Sequence, residues 1–260
     1  MKRPGGDPGA GGGDPRAHQR GEMSLLDHLE ELRRVLIFCL LVVALAAVAA
    51  WQVSDRALHL LARGAEPLHF ASLTEAFAVR IKMAIALGFL VALPLVLHRV
   101  WRFSAPALFP SEKRLVLPLV AASAVLFYLG MAFAFFGVKP MVVSFFLRFA
   151  VPGQLEPVIM VGDYFGFVVR LCLAFGLVFQ LPLVVCLLSL AGVVDPVMLG
   201  RQWRYAVVVA FVAGGILTPG PDVVSQVTMS VPLLVLYLAS VGVSRLVLRR
   251  RARRRAAAAG

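Results

Sequence analysis

Residues 35–53 read VLIFCLLVVALAAVAAWQV, a stretch of nineteen positions without a charged side chain. An α-helix rises about 1.5 Å per residue, so this stretch is long enough to cross a hydrocarbon core of about 30 Å. A second helix is expected to begin at Ser72 and to contain a shorter apolar part. The apolar stretches together predict an all-α membrane protein with six transmembrane helices, at 35–53, 83–97, 115–138, 164–190, 205–217 and 223–243.

The composition of the 260 residues agrees with this prediction. Apolar residues make up 60% of the chain, charged residues make up 15%, and the mean hydropathy is +0.86. Soluble domains carry about 25% charged residues, so a soluble globular protein is excluded, and the high hydrophobicity excludes disorder of the whole chain. The three cysteines are scattered through apolar stretches, and their spacing predicts neither a disulfide framework nor a metal site.

The formal net charge of +12 predicts membrane topology rather than nucleic-acid binding, because most Lys and Arg residues flank the apolar stretches. With six spans, 19 of the 26 Lys and Arg residues lie on the side of the two termini. This bias predicts that both termini are cytoplasmic. The predicted organisation is a disordered N-terminal tail at 1–22, a six-helix transmembrane domain at 23–248 and a basic cytoplasmic tail at 249–260.

Local signals predict where several helices begin and end. Ser72 and Glu75 have the spacing of a capping box at a helix N-terminus. Asp195-Pro196 reads as an N-cap followed by proline at the first helical position, which predicts a short surface helix. Lys139-Pro140 is expected to stop the third span.

Two features predict an irregular bundle. The fifth stretch, 205–217, covers only about 20 Å, so it must thin the bilayer locally or lie protected among other helices. Prolines inside four of the stretches predict bent helices, which either present a concave face to lipid or to a partner or reflect ordinary packing. These prolines are Pro94, Pro118, Pro182 and Pro232.

The sequence lacks the common motifs of enzymes. It contains no Gly-Lys-Ser/Thr nucleotide loop, no His-Glu-x-x-His, no Cys-x-x-Cys and no Gly-x-Ser-x-Gly. The acidic residues lie almost entirely at the ends of the spans, so an intramembrane enzyme would have no polar catalytic cluster at depth. We therefore expect a protein that is not an enzyme and that uses no cofactor or metal.

Three acidic residues on the predicted cytoplasmic face are candidates for ligand binding: Glu30, Glu31 and Glu112. A carboxylate in a headgroup region of low dielectric binds a guanidinium strongly and in a bidentate manner. Structural roles are the alternative, because Glu30 can pair with Arg34 one helical turn later and Glu112 can complement a helix N-terminus. The residues alone leave both explanations open.

Polar residues inside the spans form a second candidate set. Gln180 lies near the middle of the fourth stretch, where a buried amide needs a partner on a helix of this chain or of another subunit. Arg170 lies in the same stretch and can extend toward the outer surface. Asp222 and Gln226 lie at the outer start of the sixth stretch, either as contact residues or as an N-cap and a first-turn polar residue.

Several short motifs occur in order over residues 23–245. They are HLEELRR at 28–34, VWRFSAPAL at 100–108 with EKR at 112–114, LFYLGMAF at 126–133, AFG at 174–176 with QLP at 180–182, and LTP at 217–219 followed by Asp222 and SQ at 225–226. In this order and within six spans they resemble the TatC family, the integral core subunit of the twin-arginine protein translocase.

The resemblance implies a receptor in the cytoplasmic (inner) membrane for signal peptides with paired arginines, which are carried by folded export substrates. It also implies single-span partner subunits of the TatA and TatB type, association with further copies of the same chain, and use of the proton-motive force. The residues that match signal-binding positions of the family are Glu31, Glu112, Arg33 and Phe103. The residues expected to contact a partner subunit or to act as intramembrane polar groups are Gln180, Thr218, Asp222 and Gln226.

The chain departs from the family pattern at one informative position. Family members often carry Glu where this chain has Gln180, and an amide can form hydrogen bonds but cannot titrate. The competing hypothesis is a secondary transporter of small solutes, which draws on the four prolines, Arg170 and Gln180. Such transporters usually contain internal repeats, and repeated Leu-Pro-Leu-Val segments alone are weak support for one.

Overall fold

The computed structural model describes residues 25–62, 68–108, 116–149, 158–218 and 223–259, and the predicted tail at 1–22 lies outside these ranges. A 3-10 turn at Trp51–Val53, a π-helical segment at Ala134–Val138, and two short strands, β1 (Leu68–His69) and β2 (Ile159–Met160), accompany the α-helices. The α-helices in the described ranges are α1 (Leu25–Ala50), α2 (Ser54–Ala62), α3 (Leu73–Leu108), α4 (Val116–Phe133), α5 (Lys139–Leu147), α6 (Val161–Val178), α7 (Leu181–Leu190), α8 (Pro196–Arg201), α9 (Trp203–Leu217) and α10 (Val223–Ala259).

Five helical segments of the described chain are long and apolar enough to cross a membrane, and α9 is a shorter apolar helix of 15 residues. The chain is therefore an all-α, multi-pass membrane protein. The five segments are Leu29–Ala62, Thr74–Phe103, Leu117–Leu147, Val161–Leu190 and Val223–Arg249.

The third span does not stop at Lys139-Pro140, contrary to the sequence-based prediction. The helix continues through the π-helical segment Ala134–Val138 into α5, which ends at Leu147. Pro140 lies in the first turn of α5, where the missing backbone N–H is tolerated best. The hydrogen-bond pattern changes from π-helical to α-helical directly before Pro140, and the helical segment stays continuous.

The fourth span is interrupted between α6 and α7 at Phe179–Gln180. The backbone N–H of Gln180 donates to the Leu177 carbonyl at 3.0 Å, and Pro182 lies in the first turn of α7. Because Pro182 lacks the N–H that would continue the α-helical ladder, the regular hydrogen-bond pattern ends and restarts here.

Helices α1 and α3 form a closely packed antiparallel pair. A Cβ atom on Gly88 would lie 2.5 Å from Ala47 Cα, so only glycine permits this crossing. On one side of the crossing the Arg99 guanidinium lies 4.3 Å from the Phe38 ring centroid. On the other side the Trp51 and Phe77 ring centroids are 6.1 Å apart.

Helices α4 and α6 approach each other through two reciprocal glycine contacts. A Cβ on Gly130 would lie 2.7 Å from Phe179 Cγ, and a Cβ on Gly176 would lie 2.7 Å from the Phe127 ring. The ring that packs on Gly130 lies three residues after Gly176, and the ring that packs on Gly176 lies three residues before Gly130. The side chain of Phe175 is completely buried in the resulting core.

The segments before α3 and α6 are joined at one end of the bundle. Strands β1 and β2 pair in parallel, with Leu68 opposite Ile159. The Ser72 hydroxyl accepts the Glu75 backbone N–H at 3.2 Å, as the capping-box spacing predicts, and Glu75 Oε1 accepts the Gly162 backbone N–H at 2.7 Å. One carboxylate therefore links the N-termini of two parallel helices.

The opposite end holds the short helix α8 against α10. Asp195 caps α8 as predicted, since its carboxylate accepts the Val197 backbone N–H at 2.8 Å. Arg245 Nε donates to the Pro196 carbonyl at 3.1 Å, and the Tyr237 hydroxyl donates to the Leu199 carbonyl at 2.8 Å.

Candidate functional site

The acidic pair at the start of α1 is divided into one paired and one unpaired carboxylate. Glu30 Oε1 accepts from Arg34 Nη2 at 2.5 Å, which is the predicted pair one turn apart. Glu31 is exposed and lies within ion-pair distance of no basic side chain among the described residues. Glu31 is therefore the carboxylate of this pair that has no cationic partner among the described residues.

The antiparallel register of α1 and α3 places the predicted cytoplasmic residues at one end of the bundle. Counting from the crossing of Ala47 and Gly88, Glu31 is 16 residues away on α1 and Phe103 is 15 residues away on α3, in the same direction. Each separation corresponds to about 23 Å along a helix. Glu31, the exposed Arg33 and the half-buried Phe103 therefore lie at the same level.

Glu112 falls between α3 and α4, in the segment 109–115, and lies outside the described residues. The described ends of that segment are Leu108 on α3 and Val116 on α4. Leu108 is five residues beyond Phe103, at the end of the bundle that also carries Glu31.

A buried polar cluster lies just inside this end of the bundle and joins three helical segments. Trp101 Nε1 donates to Ser123 Oγ at 2.6 Å, and Gln180 Nε2 donates to the Ser123 backbone carbonyl at 2.8 Å. Ser123 is completely buried, and Trp101 and Gln180 are almost so. The cluster fixes the end of α3 that carries Phe103 relative to α4 and to the α6–α7 interruption.

One polar atom of the cluster has no hydrogen-bond partner among the described residues. The Gln180 Oε1 atom is buried and accepts no hydrogen bond from the described residues. A buried amide oxygen without a donor is costly, by about 1–3 kcal/mol, so a donor from outside the chain would be favourable there. Gln180 thus bonds through its amide nitrogen to the Ser123 carbonyl, and its buried amide oxygen has no donor among the described residues.

The polar residues predicted at the fifth and sixth spans meet around Gly215 of α9. The Thr218 hydroxyl donates to the Gly215 carbonyl at 3.1 Å. Gln226 Nε2 lies 3.1 Å from the position of a Gly215 Cβ and donates to the Phe211 carbonyl at 3.0 Å. The structure brings Thr218 and Gln226 together, and Asp222 lies outside the described residues.

Sequence reasoning did not single out Ser123 or the cross-link from Glu75 to Gly162. Ser123 is a polar residue inside the apolar stretch 115–138, and that was the available signal for a buried hydrogen bond. Its pairing with Trp101 and Gln180 depends on how three helices pack, which spacing within one helix does not specify. Glu75 was identified only as a local cap, because its second partner is 87 residues away.

Comparison with known proteins identifies one family along most of the chain. The family model described as "Sec-independent protein translocase protein (TatC)" matches residues 27–232. The Carboxydothermus hydrogenoformans protein named Sec-independent protein translocase protein TatC is 36% identical over 229 residues, which are 86% of this chain and 94% of that protein. The protein of that name from Aquifex aeolicus is 37% identical over 239 residues, 88% of this chain and 98% of that protein.

A solved structure has the same fold. It is described as the crystal structure of the twin-arginine translocase receptor TatC and superposes with a TM-score of 0.77 at 37% sequence identity. The superposition covers 84% of this chain and 98% of the solved chain.

Proposed function

The chain belongs to the TatC family, and we propose from this that it is the receptor and scaffold of a twin-arginine translocase, which exports folded proteins across the inner membrane with energy from the proton-motive force. As a component of a Sec-independent translocase it is a transport protein rather than an enzyme. The alternative of a secondary transporter of small solutes is not favoured by these relatives.

Glu31 and Glu112 are the proposed ligands of the two signal arginines. The observation that carries this proposal is a difference between the two carboxylates of α1. Glu30 forms an ion pair with Arg34, and Glu31 is exposed and unpaired among the described residues. Glu112 is four residues from both Leu108 and Val116, so chain length keeps it within about 14 Å of either helix end. Two carboxylates at one end of the bundle suit two guanidinium groups, each of which can form a bidentate pair.

Arg33 and Phe103 are proposed to border the same site. Phe103 lies at the level of Glu31 and is half-buried, so its ring offers an apolar wall and a surface on which a guanidinium can stack. Arg33 carries the same positive charge as the signal arginines and repels them. It can therefore restrict the approach of the signal peptide to the side where the carboxylates lie.

We further propose six spans with both termini in the cytoplasm. Helix α9, 15 residues long, is the proposed fifth span, and it covers only about 22 Å. The bond from Arg245 on α10 to Pro196 at the start of α8 supports this count, because it holds the C-terminal end of the sixth span beside the segment that precedes α9. The excess of Lys and Arg on that side supports a cytoplasmic assignment.

Partner subunits of the TatA and TatB type and further copies of the chain are the proposed protein partners. The kinked fourth span supplies a concave wall in this proposal, with Gln180 as its polar residue; because Gln180 Oε1 is buried, a partner can reach it only if neighbouring side chains move. Thr218, Asp222 and Gln226 form a second proposed contact near the end of α9.

The receptor proposal is tested by transport into inverted membrane vesicles that contain the chain and its single-span partners. Glu31→Gln should abolish import of a precursor with an Arg-Arg signal, since it removes the unpaired carboxylate. Glu30→Gln is the matched control, because it removes the same charge one residue away and disrupts only the pair with Arg34. Equal transport by the two variants would contradict the assignment of Glu31.

A further inference from the structure

A lateral groove of about 660 Å³ runs between α3 and α6, with Val43 of α1 at its edge. Its lining is mostly apolar, but it also includes the cations Lys82 and Arg170 and the carboxylate of Asp163. The groove lies at the end of the bundle opposite Glu31, and none of the residues proposed for signal binding lines it. The groove is therefore a candidate binding site separate from the proposed signal-peptide site.

The two cations lie at the same level. Lys82 follows the first residue of α3 by nine positions, and Arg170 follows the first residue of α6 by nine positions. The two helices start side by side, because the Glu75 carboxylate bonds to Gly162. Lys82 and Arg170 are thus each about 13 Å below the helix N-termini, on two parallel helices that border one groove.

The Arg170 side chain is directed toward the N-terminal end of α6. Its Nε donates to the Gly166 carbonyl at 3.1 Å, and its Nη2 lies 4.0 Å from the position that a Gly166 Cβ would occupy. Arg170 and Lys82 are both exposed, and neither lies within 4.0 Å of a carboxylate oxygen among the described residues. The groove lining thus carries two exposed cations and the one carboxylate of Asp163, and the excess of positive charge favours an anionic group there.

The apolar lining favours a lipid over a soluble anion. The groove continues from the cations toward the middle of the helices along Ile85, Phe89 and Leu173. A free phosphate would leave this wall uncovered, whereas an acyl chain would cover it while the lipid phosphate stays with the cations. A partner helix would need to bring a carboxylate to the same level.

Asp163 is the carboxylate that lines the groove. It lies about one helical turn nearer the N-terminal end than Gly166, beyond the Arg170 guanidinium, and it lines the same groove. We propose that the groove binds one phosphatidylethanolamine molecule of the leaflet at the α3 and α6 N-termini. Lys82 and Arg170 hold the phosphate, Asp163 accepts from the primary ammonium, and an acyl chain lies along Ile85, Phe89 and Leu173.

The test is native mass spectrometry of the purified full-length chain in detergent, titrated with phosphatidylethanolamine. The double variant Lys82→Gln/Arg170→Gln should bind this lipid at least about tenfold more weakly, since it loses two charge-assisted contacts. Arg56→Gln, which removes an exposed cation of α2 outside the groove, should bind like the wild type. Equal binding by the double variant and the wild type would overturn the proposal.

Three further comparisons identify the occupant. Phosphatidylcholine, whose ammonium has no N–H, should bind more weakly than phosphatidylethanolamine, and Asp163→Ala, which removes the acceptor, should remove that difference. Glycerophosphoethanolamine has the same headgroup but lacks acyl chains, so it should not compete with the lipid for the groove. Competition at equal concentration would mean that the groove binds soluble phosphate esters, and this would overturn the proposal. Displacement of the lipid by a single-span partner subunit, dependent on the same two cations, would make the groove a subunit interface and overturn the proposal.

The lipid site and the signal-peptide site can fail separately. The proposal rests on the position of the helices in a membrane and not on the receptor function. Binding of an Arg-Arg signal peptide should be unchanged in Lys82→Gln/Arg170→Gln, and a melting curve followed by circular dichroism should show that the variant is folded.

Discussion

Gly88 of α3 and Ala47 of α1 lie so close that a Cβ on Gly88 would be only 2.5 Å from Ala47 Cα. The contact fixes the register of the antiparallel pair, and this register brings Glu31 and Phe103 to one level. The geometry of the proposed receptor surface therefore depends on a glycine about 23 Å away from it.

Replacing this glycine should disturb the pair. Gly88→Ala places a methyl group against backbone atoms that cannot move aside cheaply, so we expect a loss of about 1–3 kcal/mol and a lower melting temperature in detergent. Gly242→Ala is the matched control, because a Cβ on Gly242 meets nothing within 4 Å. A Gly88→Ala protein that melts like the Gly242→Ala protein would show that the helices are not in this contact.

The buried pair of Trp101 and Ser123 makes a second prediction. Ser123→Ala leaves the Trp101 indole N–H buried without an acceptor, which should cost about 1–3 kcal/mol and change the Trp fluorescence. Trp101→Phe removes the donor instead. In the double variant no orphaned group remains, so the two losses should not add, and additive losses would contradict the hydrogen bond.

Gln180 should matter for assembly as well as for folding. Gln180→Met keeps the length of the side chain but removes the open Oε1 atom together with the bond to the Ser123 carbonyl. We expect a lower melting temperature, because the buried cluster loses a hydrogen bond, and also weaker co-purification of a single-span partner subunit. Ser189→Ala on α7 is the control for loss of a buried polar atom, and it should leave co-purification unchanged.

Glu112 should contribute to ligand binding without contributing to the stability of the fold. Glu112→Gln is expected to weaken signal-peptide binding about tenfold or more, as loss of a charge-assisted bidentate contact would. The melting temperature should stay within about one degree of the wild type. A large loss of stability with unchanged binding would instead support the alternative in which Glu112 complements a helix N-terminus.

Most of the helices could be predicted from the sequence, because the length of an apolar stretch and the residues of a helix cap are local signals. The starts of α3 and α8 follow from Ser72 and Asp195, whose side chains cap the helices to which they belong. The prediction that the third span stops at Lys139-Pro140 was wrong. A π-helical segment precedes the proline, and the helix continues from it into α5.

Contacts between distant helices were harder to predict than caps. Gly88, Gly130 and Gly176 are unremarkable in sequence, yet each marks a close approach of two helices. Phe103 and Arg33 were identified through the family resemblance, and their common level with Glu31 follows from the α1–α3 register. The polar cluster at Ser123 required the packing of three helices.

The most direct test of the receptor proposal is a double-mutant cycle on signal-peptide binding. Fluorescent peptides with Arg-Arg and Lys-Lys would be titrated against the wild-type chain, Glu31→Gln and Glu112→Gln in detergent. Lysine keeps the charge but loses the planar fork of arginine. We predict that the wild type prefers Arg-Arg and that each variant loses most of this preference. Equal affinity for both peptides, unchanged by either substitution, would mean that only surface electrostatics is at work and would contradict the account.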